Sequence, residues 1–170
     1  MDSIRIIIFE RINMETIADL HPVVVHFPVA LFIMYCLFEI ISVITKNENL
    51  VVSAHIVLIA GVVSSIGAAV TGHQAVEAIR ILSAKGITIP DHLVELHENY
   101  ATITMWYFFA ILGFRTYFVI QKKFIERIKI IFVILSIFGS ILIFETGRLG
   151  GDLVYKFGIG TELLNQSVSD

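Results

Sequence analysis

Charge is scarce in this chain. Only 16% of its 170 residues are Asp, Glu, Lys or Arg, and the formal net charge is -3. No basic run accompanies that balance, which argues against a nucleic-acid partner. Cysteine is rarer still. The lone Cys36 makes a disulfide framework impossible within one chain and reads as a small apolar filler in mid-helix. Alternation of apolar and polar residues is missing as well, which argues against a β-barrel. The opening "MDSIRIIIFERINMETIADL" lacks the build of a signal peptide, because acidic residues interrupt it and no small-residue cleavage site follows.

Apolar sequence fills the space that charge leaves. Mean hydropathy is +0.85, too high for an ordinary soluble domain of this size. Four apolar stretches stand out, at 23–45, 51–72, 102–120 and 130–144. Each is near the ~20 residues a helix needs to cross a hydrocarbon core. The expected fold is all-α: a polytopic bundle of four transmembrane helices over residues 21–160. An interfacial amphipathic segment, 1–20, precedes it, and a polar tail, 161–170, follows.

Loop charge sets the expected orientation. The third and fourth helices are joined by "RTYFVIQKKFIERIK", which holds Arg115, Lys122, Lys123, Arg127 and Lys129, and Lys46 lies on the same side. The connection spanning 73–97 on the other side holds only Arg80 and Lys85. Positive-inside bias then places both termini outside the cytoplasm.

With those helix directions, His21, His26, His73, His92 and His97 gather at one membrane face, and only His55 sits at the other. Intramembrane ionisable groups mark functional sites. Pro22 suits a first helical turn, while Pro28 either belongs to a delayed first turn or kinks the helix. Gly61, Ser65 and Ala69 form a small-residue stripe leading to Gly72 and His73, fit for close helix packing or for a flat cofactor. Asp91 is a candidate N-cap for the third helix. His97 shares a face there with Ala101, Thr104 and Phe108. "HLVELH" lacks the spacing of zinc-protease motifs, so metalloprotease chemistry is rejected. Gly147, Gly150 and Gly151 are expected to stop the fourth helix, with Arg148 beside them free to meet a carboxylate or a lipid phosphate. Glu39 and His55 share the opposite face, as a bonded pair or a proton path.

The elements "HPVVVHFPVAL" and "GRLGGDLVYKFGIG", the glycine-rich end of the second helix and the histidine opening the third resemble the DUF2231 family over about residues 20–160. His21, Pro22, His26, Pro28, Gly72, His97, Gly150, Gly151 and Tyr155 fall on its pattern; His73 and His92 do not clearly belong. The resemblance implies a bacterial four-helix membrane protein, with an association with redox modules in some members. It implies little chemistry, so function is read from the site.

The leading expectation is a b-type haem electron-transfer subunit in the bacterial inner membrane, more a subunit than a stand-alone enzyme. His26 and His97 are the expected axial pair, with His21 as the alternate on the first helix. His73 and Gly72 are expected beside the cofactor, and Arg148 on a propionate. The alternatives are a copper, zinc or iron site on His21, His26 and His97 with Glu95 or Glu98, a proton pathway, and a structural anchor. Expected partners are lipid and other subunits of a redox complex, or further copies of the chain.

Overall fold

The computed structural model describes residues 18, 20–84 and 90–159. The expected interfacial segment and polar tail lie almost wholly outside those residues. Among the described residues, four helices make the architecture: α1 (His26–Thr45), α2 (Glu48–Ala84), α3 (Asp91–Ile120) and α4 (Glu126–Phe157). A helical turn over 20–24 precedes α1, so the first candidate span runs Leu20–Thr45. All four are long and apolar enough to cross a membrane. No more than 33% of any span's most apolar window is buried within the bundle, so most of this surface needs lipid around it.

Short connections force the helices antiparallel. Only Lys46 and Asn47 separate α1 from α2. Lys46 takes the left-handed conformation that ends α1, and Asn47 Oδ1 accepts the Asn49 N–H, capping α2. At the other end, Pro28 sits in the first turn of α1, after the turn at Val25, where a missing N–H does least harm. Pro90, not Asp91, occupies the N-cap of α3, and no side chain caps it.

Three expectations about helix ends give way. α2 continues past His73 to Ala84, so most of the expected long loop is helix. α4 runs through Gly147, Gly150 and Gly151 and ends only at Gly158, whose left-handed backbone bonds back to Leu153 and Val154. A mid-helix glycine costs up to ~1 kcal/mol, small beside the several kcal/mol of an unsatisfied backbone group in hydrocarbon. Arg115, taken as a loop cation, lies inside α3 and is fully buried.

Each of α1 and α3 packs beside α2 and α4, so they face each other across the diagonal. Their heptad-spaced stripes fill the interior: Pro28, Phe32, Tyr35, Glu39 and Ser42 on α1, and Thr104, Phe108, Ile111 and Arg115 on α3. In the middle, Phe32 and Phe108 stack with centroids 3.8 Å apart. Gly61 and Gly139 make room for those rings, since a Cβ at either would fall 2.6 Å or 2.5 Å from ring carbons. One end of this diagonal holds His21 and His97; the other holds Glu39 and Arg115. Beyond the histidines a second apolar cluster of Ile79, Val94 and Leu153 closes α2, α3 and α4 together.

Candidate functional site

His21 and His97 meet across the diagonal, with ring centroids 6.5 Å apart and planes at 75°. Both rings are half-buried. Each is anchored through Nδ1. His97 Nδ1 lies 3.1 Å from the Thr146 carbonyl, which can only accept, so this nitrogen carries the proton. His21 Nδ1 lies 3.0 Å from Thr71 Oγ1. That hydroxyl's single hydrogen goes to the Gly67 or Ala68 carbonyl, each 3.1 Å away, so the hydroxyl accepts from His21. In this arrangement both Nε2 atoms keep their lone pairs. Ligating histidines are commonly oriented in this way, with the second ring nitrogen donating to an oxygen.

Glycines let the rings come so close to neighbouring backbone. A Cβ at Gly72 would stand 3.0 Å from His21 Cε1, and one at Gly150 would stand 2.9 Å from His97 Cε1. The glycine marked on α2 therefore supports the α1 histidine, and the one on α4 supports the α3 histidine. Thr146 adds a further tie, its hydroxyl lying 3.0 Å from that of Thr104 on α3.

The other expected site residues lie elsewhere. His26 is exposed on α1, where it lines an apolar groove with Phe27, Ala30 and Leu31. Five residues turn a helix by about 140° beyond a full turn, so His21 and His26 cannot both face the core. His73 is exposed too, on an open groove of about 420 Å³ between α2 and α3 with Trp106 and Phe109. The small-residue stripe explains this. Each i+4 step drifts about 40° around a straight helix, so Gly61 and Ser65 are buried while Ala69 and His73 have turned outward. His92 is exposed. Arg148 lies on the outside of α4, bonded to Glu145 at 2.8 Å and near Asp152 at 3.7 Å.

Among the described residues, no group of three or more His, Cys, Asp or Glu side chains is arranged to hold a metal ion. Sequence reasoning missed Thr71 and Thr146, whose roles show only once helices are paired. It also missed Arg115 as the partner of Glu39, although both stand alone in apolar runs on core-facing heptad positions.

No curated protein and no solved structure matches the chain. The model of one family does match, and it covers residues 18–163, taking in all four helices and both polar ends of the bundle. By that match the chain is a member of the DUF2231 family, described as predicted membrane proteins.

Proposed function

We propose that the protein is a membrane-integral electron-transfer subunit that carries a b-type haem, with His21 and His97 as its axial ligands. The imidazole pair carries this reading: two rings from facing helices, each held through Nδ1 with Nε2 free to coordinate. His21 and His97 would hold the iron between them, their ring centres lying 6.5 Å apart. Two imidazoles suit a metal that brings its equatorial ligands with it, as haem iron does. A bare copper, zinc or iron ion asks for a fuller protein ligand set.

When bound, the haem supplies one-electron exchange. The chain's own residues do the holding. Thr71 and the Thr146 carbonyl fix ring orientation, while Gly72 and Gly150 set the distance between each ring and the neighbouring helix. Lipid and partner subunits cover the apolar exterior. The same reading sets the protein in the inner membrane with the histidine end and both termini outside the cytoplasm, because Lys46, Lys122, Lys123 and Arg127 belong to the opposite end.

Absorption spectra of the purified protein, as isolated and after haem titration, test the proposal. A Soret band that His21→Ala and His97→Ala each remove, and that His26→Ala keeps, is the expected outcome. A chain that stays colourless and takes up no haem sinks the proposal, leaving the two histidines as ties between helices in an anchor subunit.

A further inference from the structure

The end of the bundle opposite the histidine pair holds a second polar group that electron transfer does not use. Arg115 Nε donates to Glu39 Oε1 at 2.7 Å, and Nη2 donates to the Val51 carbonyl at 2.9 Å. Both side chains of the pair are completely buried. The Arg115 guanidinium lies 4.7 Å from the centre of the Phe124 ring. Yet the set is incomplete. Glu39 Oε2, Arg115 Nη1, Tyr35 Oη and His55 Nδ1 are all buried, and none has a hydrogen-bond partner among the described residues. These groups are neighbours: the Tyr35 hydroxyl interacts with both Glu39 and Arg115, and His55 interacts with Arg115.

A pair that served only to clamp α1 to α3 would have no reason to leave so many groups open, since each unmet buried group carries an uncompensated desolvation penalty. The neighbouring cation is finished by contrast. Lys129 Nζ donates to Glu48 Oε1 at 2.7 Å and to Glu126 Oε1 at 3.0 Å. The open set contains an acceptor, a cationic donor and two groups able to do either, which matches bridging water.

We propose that Tyr35, Glu39, Arg115 and His55 form a water-bridged proton site in the bundle core, entered from the α1–α2 loop end through His55. His55 is the natural entrance because its ring is half-exposed while Nδ1 is buried, and the ring feels the charge of Arg115. A proton taken from solvent by His55 leaves Nδ1 for the bridging water, and the water passes one on to Glu39 Oε2. His55 returns to its neutral form, and Glu39 becomes a carboxylic acid beside the unchanged guanidinium; the reverse sequence releases the proton. The ionisable groups surrounding the path are Tyr35 and Glu39 on α1, Glu48 and His55 on α2, Arg115 on α3, and Glu126 and Lys129 on α4. Lys129 acts on Glu39 at longer range.

Infrared difference spectra of the full chain in lipid nanodiscs, recorded across a pH change in water and in heavy water, test this without any haem. The expected spectrum has a protonated-carboxyl band that shifts on deuteration and is missing from Glu39→Gln. His55→Phe keeps the band but slows its deuteration several-fold. Tyr35→Phe, which conserves the ring's packing, moves the band by removing one of the groups that the bridging water joins to Glu39, and it serves should Glu39→Gln fail to assemble. A pH-dependent spectrum identical in Glu39→Gln and the parent chain overturns the proposal, and so does an unmoved band in Tyr35→Phe. Deuteration at the parent rate in His55→Phe overturns the entrance.

Discussion

At the end where α1 begins, two imidazoles and their threonine partners cross the core with no full charge and with both Nδ1 atoms satisfied. Where α1 finishes, a carboxylate and a guanidinium cross the same diagonal and leave four buried polar atoms open. Stacked phenyl rings separate the two ends. One end is thus completed around imidazoles whose Nε2 atoms remain free, and the other around a charge pair that the protein only half satisfies. A bundle that needed merely to stay folded in lipid would use neither, because small-residue packing holds membrane helices together without intramembrane charge.

The largest effect belongs at the charged end. Removing one partner of a buried pair typically costs about 3–5 kcal/mol, because the survivor is left uncompensated, whereas replacing both by apolar residues of similar volume is often close to neutral. Arg115→Met and Glu39→Leu should each therefore sharply lower resistance to unfolding by denaturing detergent, and the double variant should recover most of it. If the singles unfold like the parent chain, water already serves these groups and the ends differ less than their burial indicates.

Next comes the layer that separates the ends. A Cβ at Gly139 would stand 2.5 Å from Phe108 Cζ and 3.1 Å from Tyr107 Cε1. Gly139→Ala should cost about 1–3 kcal/mol by overpacking, measured in the same detergent titration. Gly113→Ala, where nothing lies within 4 Å, is the matched control and should not destabilise. Equal behaviour of the two would mean that the ring stack can slide, and that the ends communicate through it.

The degree to which these ends could be read from sequence follows from helix geometry. Four spans need only hydropathy, and they are present in the structure; of the five histidines that chain direction gathers, it brings His21 and His97 together. Which histidine faces inward depends on rotation about each helix axis, and a five-residue interval puts His21 and His26 on different sides. Arg115 was hidden by its neighbourhood, being seven residues from Lys122 in a stretch that resembles a basic loop. The signal that could have found it is periodic: Thr104, Phe108, Ile111 and Arg115 continue one heptad stripe, as Phe32, Tyr35 and Glu39 do on α1. The glycines of α4 were misread for a different reason. Rules for helix ends come from water, where a freed carbonyl finds a partner, while a bilayer strongly favours continuing the helix.

A smaller effect is expected at the histidine end, where single hydrogen bonds are at issue. Thr71→Val keeps the shape of the side chain but removes the oxygen that receives His21 Nδ1–H. The stability loss should be about 0.5–1.5 kcal/mol, the usual net worth of one such bond. Its more telling consequence is in the ring. Freed from Thr71, His21 can turn or exchange tautomers, so nitrogen-15 NMR of the labelled imidazole should show Nδ1–H weakened in the variant and intact at His97. His97 should hold because its acceptor is the Thr146 backbone carbonyl, which no side-chain substitution removes. An unchanged His21 signal would mean that another group sets its orientation, and would weaken the likeness drawn between the two rings.

Arg148 should give the smallest effect of all, although it looked from sequence like part of the site. It lies two residues from Gly150, but two residues rotate a helix by about 200°, and the glycine's side of α4 is the one against His97. The guanidinium instead ties to Glu145 one turn back and approaches Asp152 one turn on, all along the outer surface. Exposed pairs of this kind contribute little, since water screens them and ordering two long side chains offsets the attraction. Arg148→Gln should consequently leave detergent resistance, the His97 imidazole signals and any haem spectrum as they are in the parent chain. A haem that binds but is lost from Arg148→Gln would show that the side chain leaves its acidic neighbours to meet a propionate. The glycine-rich turn of α4 would then contribute charge to the histidine end as well as closeness, and the contrast between the two ends would narrow.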